Sequence, residues 1–275
     1  MPQPTQSQVA QRLEFAVQIA HEAGAVTLDY FRSASLAVDR KSDGSPVTAA
    51  DRAAETLLRE RIAAEFPGDA VVGEEFGASP GDSGYTWVLD PIDGTKSFIH
   101  GVPLYTTLIG VLTGDTPDCG KPQAGVIHSP ATGETAWAAI GQGCRLSGRS
   151  GAADRPGQVS SCGSLDESLV LTSEVVSFRR NRSGDALTKY LQLQDSARLV
   201  RTWGDGYGYL MLVGGRADVM LDPIMNLWDA AALMPIVTEA GGRFTDWRGE
   251  ATVHSGDALA TNGQVHQAVL DILAS

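Results

Sequence analysis

The amino-acid sequence predicts an α/β layered fold, and three observations carry that prediction. Helix-period apolar spacing dominates the N-terminal segment, and short apolar strands bounded by glycine and proline fill the middle. Strand-like and helix-like segments then alternate from residue 168 onward. The 275 residues suffice for a full core, as one large domain or as two halves that share a cleft.

Val9, Leu13, Phe15, Ala16, Ile19, Ala20, Ala23 and Val26 recur at helical spacing, which predicts a helix from Ser7 to about Phe31. Gly44 and Pro46 mark a turn. Thr48, three residues before Asp51, caps a second helix that runs to about Phe66, where Pro67 and Gly68 end it. Strands are predicted over 70–75, 85–90, 104–112, 122–129 and 134–140, with a hairpin or loop over 141–148. The stretch from Ser147 to Leu165 is rich in Ser, Gly and Asp and lacks periodicity. It marks the expected boundary between an N-terminal half, 1–146, and a C-terminal half, 147–275. The second half then reads as strand (168–173), helix (183–194), strand (197–202), a helix from about Asp205, strand (217–222) and one helix over 227–242. The short segments RFTDW and DALAT and a last helix near 263–274 complete it.

A hydrophobic content of 43% and a charged content of 20% fit an ordinary globular protein, and no apolar run is long enough to span a membrane. The N-terminus lacks the basic start and continuous apolar stretch of a signal peptide, so a cytoplasmic location is expected. The formal net charge of −12 repels polyanions, and the short basic runs at 179–182 are too small to override it. Nucleic acid is therefore excluded as a partner. Cys119, Cys144 and Cys162 show no metal or redox spacing and read as reduced thiols.

The stretch WVLDPIDGTKSF, residues 87–98, carries the chemistry. Val88 and Leu89 suit a buried strand, which places Asp90 at its carboxyl end, where open α/β sheets commonly hold ligands. Pro91 stiffens the corner, Gly94 permits tight backbone approach, and Asp93, Gly94 and Thr95 stand where a helix start offers free N–H groups to an anion. Taken alone, Asp93 could be an N-cap and Asp90 a turn former. Glu74 and Glu75 also follow an apolar strand, and Asp229 interrupts an apolar helix, where a carboxylate is costly unless paired or metal-bound. Two such charges ~4 Å apart cost about 4 kcal/mol at an effective dielectric of ~20, so convergence of these groups demands cations. Hard oxygen ligands suit Mg²⁺.

GEE at 73–75, WVLDPIDGTKSFIHGVP at 87–103 and WDAAALMPIVTEAGG at 228–242 closely resemble the signature regions of the inositol monophosphatase family, Mg²⁺-dependent and often lithium-sensitive phosphatases. DGSPVTAAD at 43–51 resembles a third family segment. The resemblance spans nearly the whole chain and implies an αβαβα sandwich with metals between its two halves. It implies that Glu74, Asp90 and the Ile92 carbonyl hold one Mg²⁺, that Asp90, Asp93 and Asp229 hold a second, and that Glu74 helps with a third. Thr95, paired with Asp51, would orient and deprotonate the attacking water together with Glu74, and the Gly94 and Thr95 amides would cradle the phosphate. A homodimer is implied as well.

Members of the family hydrolyse inositol phosphates, histidinol phosphate, nucleotide bisphosphates or fructose bisphosphate, so residues around the leaving group decide the ester. RTWGDGYGY, residues 201–209, replaces the small-residue stretch of inositol-specific members and brings Asp205 near the substrate. Asp222, seven residues before Asp229, matches the acidic position that contacts the organic part. This segment looks most like the histidinol-phosphate phosphatase branch. A cationic alcohol suits Asp205 and Asp222, with Asn226 adding a hydrogen bond to its imidazole. Asp205 could equally be a helix N-cap, Asp222 a turn residue, and Trp203, Tyr207 and Tyr209 either core or pocket lining. Lys96 stands where many inositol-specific members carry Thr and reads as a solvated helix residue or a phosphate neighbour, and Lys41 reads as a surface lysine or a neighbour of the metal loop. The alternatives are an inositol-1-phosphate phosphatase, a bisphosphate nucleotidase without a basic cluster for its second phosphate, and a non-catalytic metal-binding scaffold.

Overall fold

A computed structural model describes residues 5–34, 36–41, 44–114, 116, 119–147, 153–182 and 184–275. Asp43, Gly148 and Ser183, which fall in segments assigned from sequence, lie outside the described residues.

The outer layer is built by α1 (Gln6–Tyr30) and, after the short antiparallel hairpin of β1 (Val38–Arg40) and β2 (Pro46–Thr48), by α2 (Ala49–Glu65). Both helices start at capping boxes, Thr5 with Gln8 and Thr48 with Asp51, which satisfy N–H groups the first turn leaves open. Val9, Leu13, Ala16, Ile19, Ala20 and Ala23 form one buried stripe on α1, and Ala54, Leu58 and Ile62 form another on α2.

Both stripes pack on one face of an eight-stranded sheet. Its strands are β3 (Ala70–Gly73), β4 (Gly77–Ser79), β5 (Tyr85–Asp93), β6 (Thr106–Thr113), β7 (Lys121–Ser129), β8 (Glu134–Ala139), β9 (Cys144–Ser147) and β10 (Arg155–Pro156). The spatial order is β10-β9-β8-β7-β6-β5-β3-β4, and α3 (Thr95–Ile99) caps the end of β5. Among the described strands of this sheet only the β3–β5 pair is parallel, so their carboxyl ends emerge side by side.

The second sheet holds β11 (Leu169–Leu171), β12 (Leu199–Arg201), β13 (Val219–Asp222), β14 (Arg243–Thr245) and β15 (Ala258–Thr261), in the order β12-β11-β13-β15-β14. Between β11 and β12 lie α4 (Ser177–Arg180) and α5 (Ala186–Ser196). Then α6 (Gly206–Val213) precedes β13, α7 (Leu227–Ala230) and α8 (Leu233–Glu239) follow it, and α9 (His266–Ala274) closes the chain. Strand alternation splits the small sheet's faces: Met220 joins the core shared with α6 and α8, while Val219 and Leu221 meet Tyr190, Leu193 and Val269 of α5 and α9.

Helices α6, α7 and α8 therefore form a middle layer between the two sheets, and α6 buries residues all round because both its faces are covered. The expected αβαβα sandwich is the observed architecture. Close approach is required where α7 meets α8: a Cβ on Gly110 would lie 2.8 Å from Ala231 Cβ, and one on Gly125 2.1 Å from the Ala232 carbonyl oxygen.

The structure differs from the sequence reading in four places. Residues 227–242 form two helices rather than one, because Pro235 cannot donate to the Ala231 carbonyl and crowds the turn before it. Strand β5 does not stop at Asp90; it continues to Asp93 through a bulge that sets Pro91 and Ile92 outside the ladder. The 141–148 segment contains the regular strand β9, and β10 pairs with it from beyond residue 147. The β1–β2 hairpin and α4 had no clear periodic signal, being three and four residues long.

Candidate active site

The site assembles where β3 and β5 end together. Gly73 pairs with Leu89, and the Glu74 N–H continues the ladder to the Leu89 carbonyl at 3.1 Å, so Glu74 and Asp90 are neighbours by register. The bulge after Asp90 turns the chain so that Asp93 and Asp90 serve the same space. Asp229 enters from α7, held over the sheet by the close glycine contacts, and its Oδ2 accepts the Asn226 N–H at 2.7 Å. One carboxylate oxygen each from Asp90, Asp93 and Asp229 lie within 4.8 Å of one another.

These carboxylates are crowded, with Asp90 buried and Asp93 and Asp229 half-buried at the cavity wall. Burial, reinforced by the charges of Glu74, Asp93 and Asp229, raises Asp90 well above the usual carboxylate range. Burial and the charges of Asp205 and Asp229 do the same to Asp93, and burial pushes Asp229 up to about 7. Asp90 Oδ1 is buried with no hydrogen-bond partner. An orphaned carboxylate oxygen at the meeting point of an all-oxygen donor set fits a hard divalent cation.

Glu74 stands at the edge of this group and already meets a cation. Lys41, just after β1, places Nζ 2.7 Å from Glu74 Oε1 and 2.7 Å from Glu75 Oε1. Burial alone would lower this ammonium, and its bonds to the two glutamates raise it instead. The turn that carries Glu74 is fixed from behind by Glu55, whose carboxylate accepts from the N–H of Glu75 at 2.8 Å and of Phe76 at 3.2 Å. That carboxylate fills the place of a side chain at position 73, where a Cβ would lie 2.0 Å from Glu55 Oε1. Arg59 Nε balances it at 2.8 Å.

The next part of the cavity wall, where the sequence reading expects the phosphate, is the start of α3. Gly94 adopts φ +83°, a conformation only glycine takes without strain, and the first helical bond runs from the Phe98 N–H to the Gly94 carbonyl. The N–H groups of Thr95, Lys96 and Ser97 are thereby left without a partner inside the helix. The expected Thr95–Asp51 pair does not form. Thr95 Oγ1 donates to the Ile92 carbonyl at 3.0 Å, while Asp51 Oδ2 turns back to the N–H and hydroxyl of Thr48 at 2.7 and 2.6 Å. Asp51, at the third position of α2, is drawn into the capping box, and its Oδ1 stays buried and open.

The opposite wall comes from the C-terminal half. Asp205 sits at the N-cap position of α6, as the N-cap alternative expects, but its side chain makes no capping bond and is left to the cavity. Its φ of +45° is unusual for a residue with a side chain. Neighbouring bonds hold it there: its N–H donates to Ser173 Oγ at 3.0 Å, and the next N–H, of Gly206, donates to Asp93 Oδ2. The carboxylate is aimed at the phosphate side, since a Cβ on Gly94 would lie 2.9 Å from Asp205 Oδ2.

Asp222 lines the same cavity but is already occupied: Ser173 N–H and Oγ donate to Oδ1 at 3.2 and 2.9 Å, and the Tyr209 hydroxyl donates to Oδ2 at 3.0 Å. Burial pushes Asp222 up to about 6. Asn226 also lines the cavity, with its side-chain amide on Asp229 Oδ2 at 3.1 Å. Tyr209 is core and cavity wall at once, whereas Tyr207 lies away and bonds Glu134 at 2.8 Å. His100 and His128 keep out of the cavity, bonded to the Lys96 carbonyl and to Thr135.

The cavity between the two walls measures about 370 Å³, at the small end of the range for small-molecule sites. Sequence reasoning missed Glu55, Ser173 and Glu174 and left Lys41 open. The glutamate in the middle of the apolar stripe of α2, three positions before Leu58, was the available signal for Glu55.

Comparison with known proteins agrees with this geometry. The profile of the Inositol monophosphatase family matches residues 8–274. A histidinol-phosphatase of Chlorobaculum parvum is 43% identical over 90% of this chain and 91% of its own length. A histidinol-phosphatase of Mycobacterium tuberculosis is 38% identical over 94% and 96%. Among solved structures, the extragenic suppressor protein suhB of Bartonella henselae superposes with a TM-score of 0.84 at 26% identity, covering 96% of this chain and 98% of that one. The chain belongs to the inositol monophosphatase family of phosphatases.

Proposed function

We propose that this phosphatase hydrolyses L-histidinol phosphate to L-histidinol and phosphate with Mg²⁺ bound. The observation that carries the choice of ester is Asp205, whose carboxylate stands beside Gly94 on the wall facing the phosphate cradle. A carboxylate there favours a leaving alcohol that bears positive charge. The two histidinol-phosphatases that align over nine-tenths or more of the chain support the same reading.

Glu74, Asp90, Asp93, Asp229 and the Ile92 carbonyl would hold two Mg²⁺ ions, with Asp90 shared and Glu74 helping with a third. Bound Mg²⁺ supplies neutralisation of the phosphate charge and a lowered pKa for water. The chain's own residues do the rest. The N–H groups of Gly94 and Thr95 orient the phosphate, and exchange with water is limited by the walls of the cavity. Thr95 and Glu74, which line the cavity, align the attacking water, and Glu74 receives its proton. Asp205 engages the alcohol, backed by Asp222 and Asn226. Attack is in line, without a phosphoenzyme.

A second reading, hydrolysis of inositol 1-phosphate, is favoured by an inositol-1-monophosphatase of Synechocystis that is 33% identical over 96% of this chain. A nucleotide bisphosphate is disfavoured, because Lys96 is the only basic side chain lining the cavity among the described residues. We further take residues 1–146 and 147–275 as two halves that share the cleft, in a cytoplasmic homodimer. No helix among the described residues is long and apolar enough to cross a membrane.

Phosphate release from L-histidinol phosphate tests the mechanism. It should cease with EDTA and return with added Mg²⁺; release that persists in EDTA at an undiminished rate refutes the metal-dependent reading.

A further inference from the structure

Lys96, the second residue of α3, lines the cavity beside the proposed phosphate cradle. Its ammonium reaches across the cavity mouth to Glu174 Oε1 at 3.0 Å. Both residues line the cavity, from opposite halves of the chain. Glu174 directly follows Ser173, the residue that holds both Asp205 and Asp222. Its other oxygen, Oε2, accepts from Ser177 Oγ at 2.6 Å, which fixes the carboxylate in place. The two side chains are 66% and 42% exposed, so water screens the pair and opening it is cheap.

We infer that Glu174 is a specificity-determining residue that exchanges the Lys96 ammonium for a cationic group on the leaving alcohol. The inference deepens the reading of the site given above. A cationic alcohol replaces one charge-assisted hydrogen bond with another, whereas a neutral alcohol meets a closed ion pair and has nothing to offer in exchange. Lys96 is thus a resident competitor: it keeps Glu174 paired in the free enzyme and yields only to another cation. Ser173 ties the device to the rest of the wall, so Asp205 and Glu174 face the alcohol from one segment and its neighbour.

The test compares kcat/KM for L-histidinol phosphate and for 3-(imidazol-4-yl)propyl phosphate, which keeps the imidazole and the phosphate and lacks the ammonium. Both esters are assayed at saturating Mg²⁺ and about pH 8, where the imidazole is neutral, with the wild-type protein, Glu174→Gln and Lys96→Gln. The ratio of cationic to neutral ester should fall about fivefold in Glu174→Gln, the upper end for a partly exposed ion pair. It should rise about twofold in Lys96→Gln, where the competitor is gone. An unchanged ratio in Glu174→Gln, or a loss shared equally by both esters, overturns the inference, as does a ratio that fails to rise in Lys96→Gln. A wild-type protein that prefers inositol 1-phosphate to both esters contradicts the substrate reading alone, because the ratio is still measured.

Discussion

The two walls of the cavity use carboxylates in opposite ways. On the phosphate side, Asp90, Asp93 and Asp229 are crowded against one another, and one buried oxygen of Asp90 has no partner. On the alcohol side, Asp222 is saturated by Ser173 and Tyr209, and Glu174 is paired with Lys96. Unsatisfied buried charge is destabilising, so the first wall makes sense only with a cation added from outside. The second is complete as it stands and can be retuned residue by residue. Under the proposed function, one wall serves the reaction and the other the choice of ester.

The sharpest way to break this contrast is to remove a charge from the phosphate wall. Asp93→Asn should lower kcat for histidinol phosphate about a thousandfold at saturating Mg²⁺, the loss of several kcal/mol of transition-state stabilisation. A drop of less than tenfold would place Asp93 outside the metal set.

Support of the phosphate wall from behind should matter next. Glu55→Ala removes the acceptor that fixes the Glu74 turn and should weaken Mg²⁺ binding, read by calorimetry, by about 10–100-fold. Unaltered Mg²⁺ affinity would reduce Glu55 to a packing role.

A milder change suits the alcohol wall. Tyr209→Phe frees one oxygen of buried Asp222 and should cost about 1 kcal/mol in stability. KM should rise a fewfold while kcat holds. A kcat loss as large as that of Asp93→Asn would erase the distinction between the walls.

The smallest effect is on stability against pH. Burial pushes Asp229 and Glu75 each up to about 7, so the metal-free folded protein takes up protons near neutrality that the unfolded chain does not. Stability in EDTA should therefore rise as pH falls from 8 to 6.5, by on the order of 1 kcal/mol. Below that window the sign changes for the histidines: burial holds His128 down to about 3 and His266 to about 4, so the unfolded chain is the one that protonates. Saturating Mg²⁺ keeps Asp229 ionised and should shrink the rise between pH 8 and 6.5 to the part that Glu75 contributes. Denaturant titrations with and without Mg²⁺ check this, and identical pH profiles would contradict it.

Most of the phosphate wall was legible in the sequence because it is local. Asp90, Pro91, Asp93 and Gly94 fall within five consecutive positions, and Asp229 betrays itself as a carboxylate set in an apolar run. The layered fold was legible for a related reason, since helical and strand periods persist over each long element. The helix break before Pro235 was readable from the proline, and the extension of β5 was not, because it depends on Thr106 being there to pair with Asp93 across a bulge. Side chains that reach across the fold escaped notice: Lys41 finds Glu74 33 residues on, and Lys96 finds Glu174 78 residues on. Nothing local distinguishes such a lysine from one that stays in solvent. The Thr95–Asp51 pair shows the converse, a contact implied by resemblance that local capping chemistry at Thr48 takes instead.

The central claim is that the alcohol wall selects a cationic ester for the phosphate wall to cleave. It is tested most directly by kcat/KM for L-histidinol phosphate against inositol 1-phosphate, measured side by side at saturating Mg²⁺. The account predicts a preference for histidinol phosphate of at least about tenfold, the equivalent of one charge-assisted contact. Equal turnover of the two esters, or a preference for inositol 1-phosphate, would contradict it.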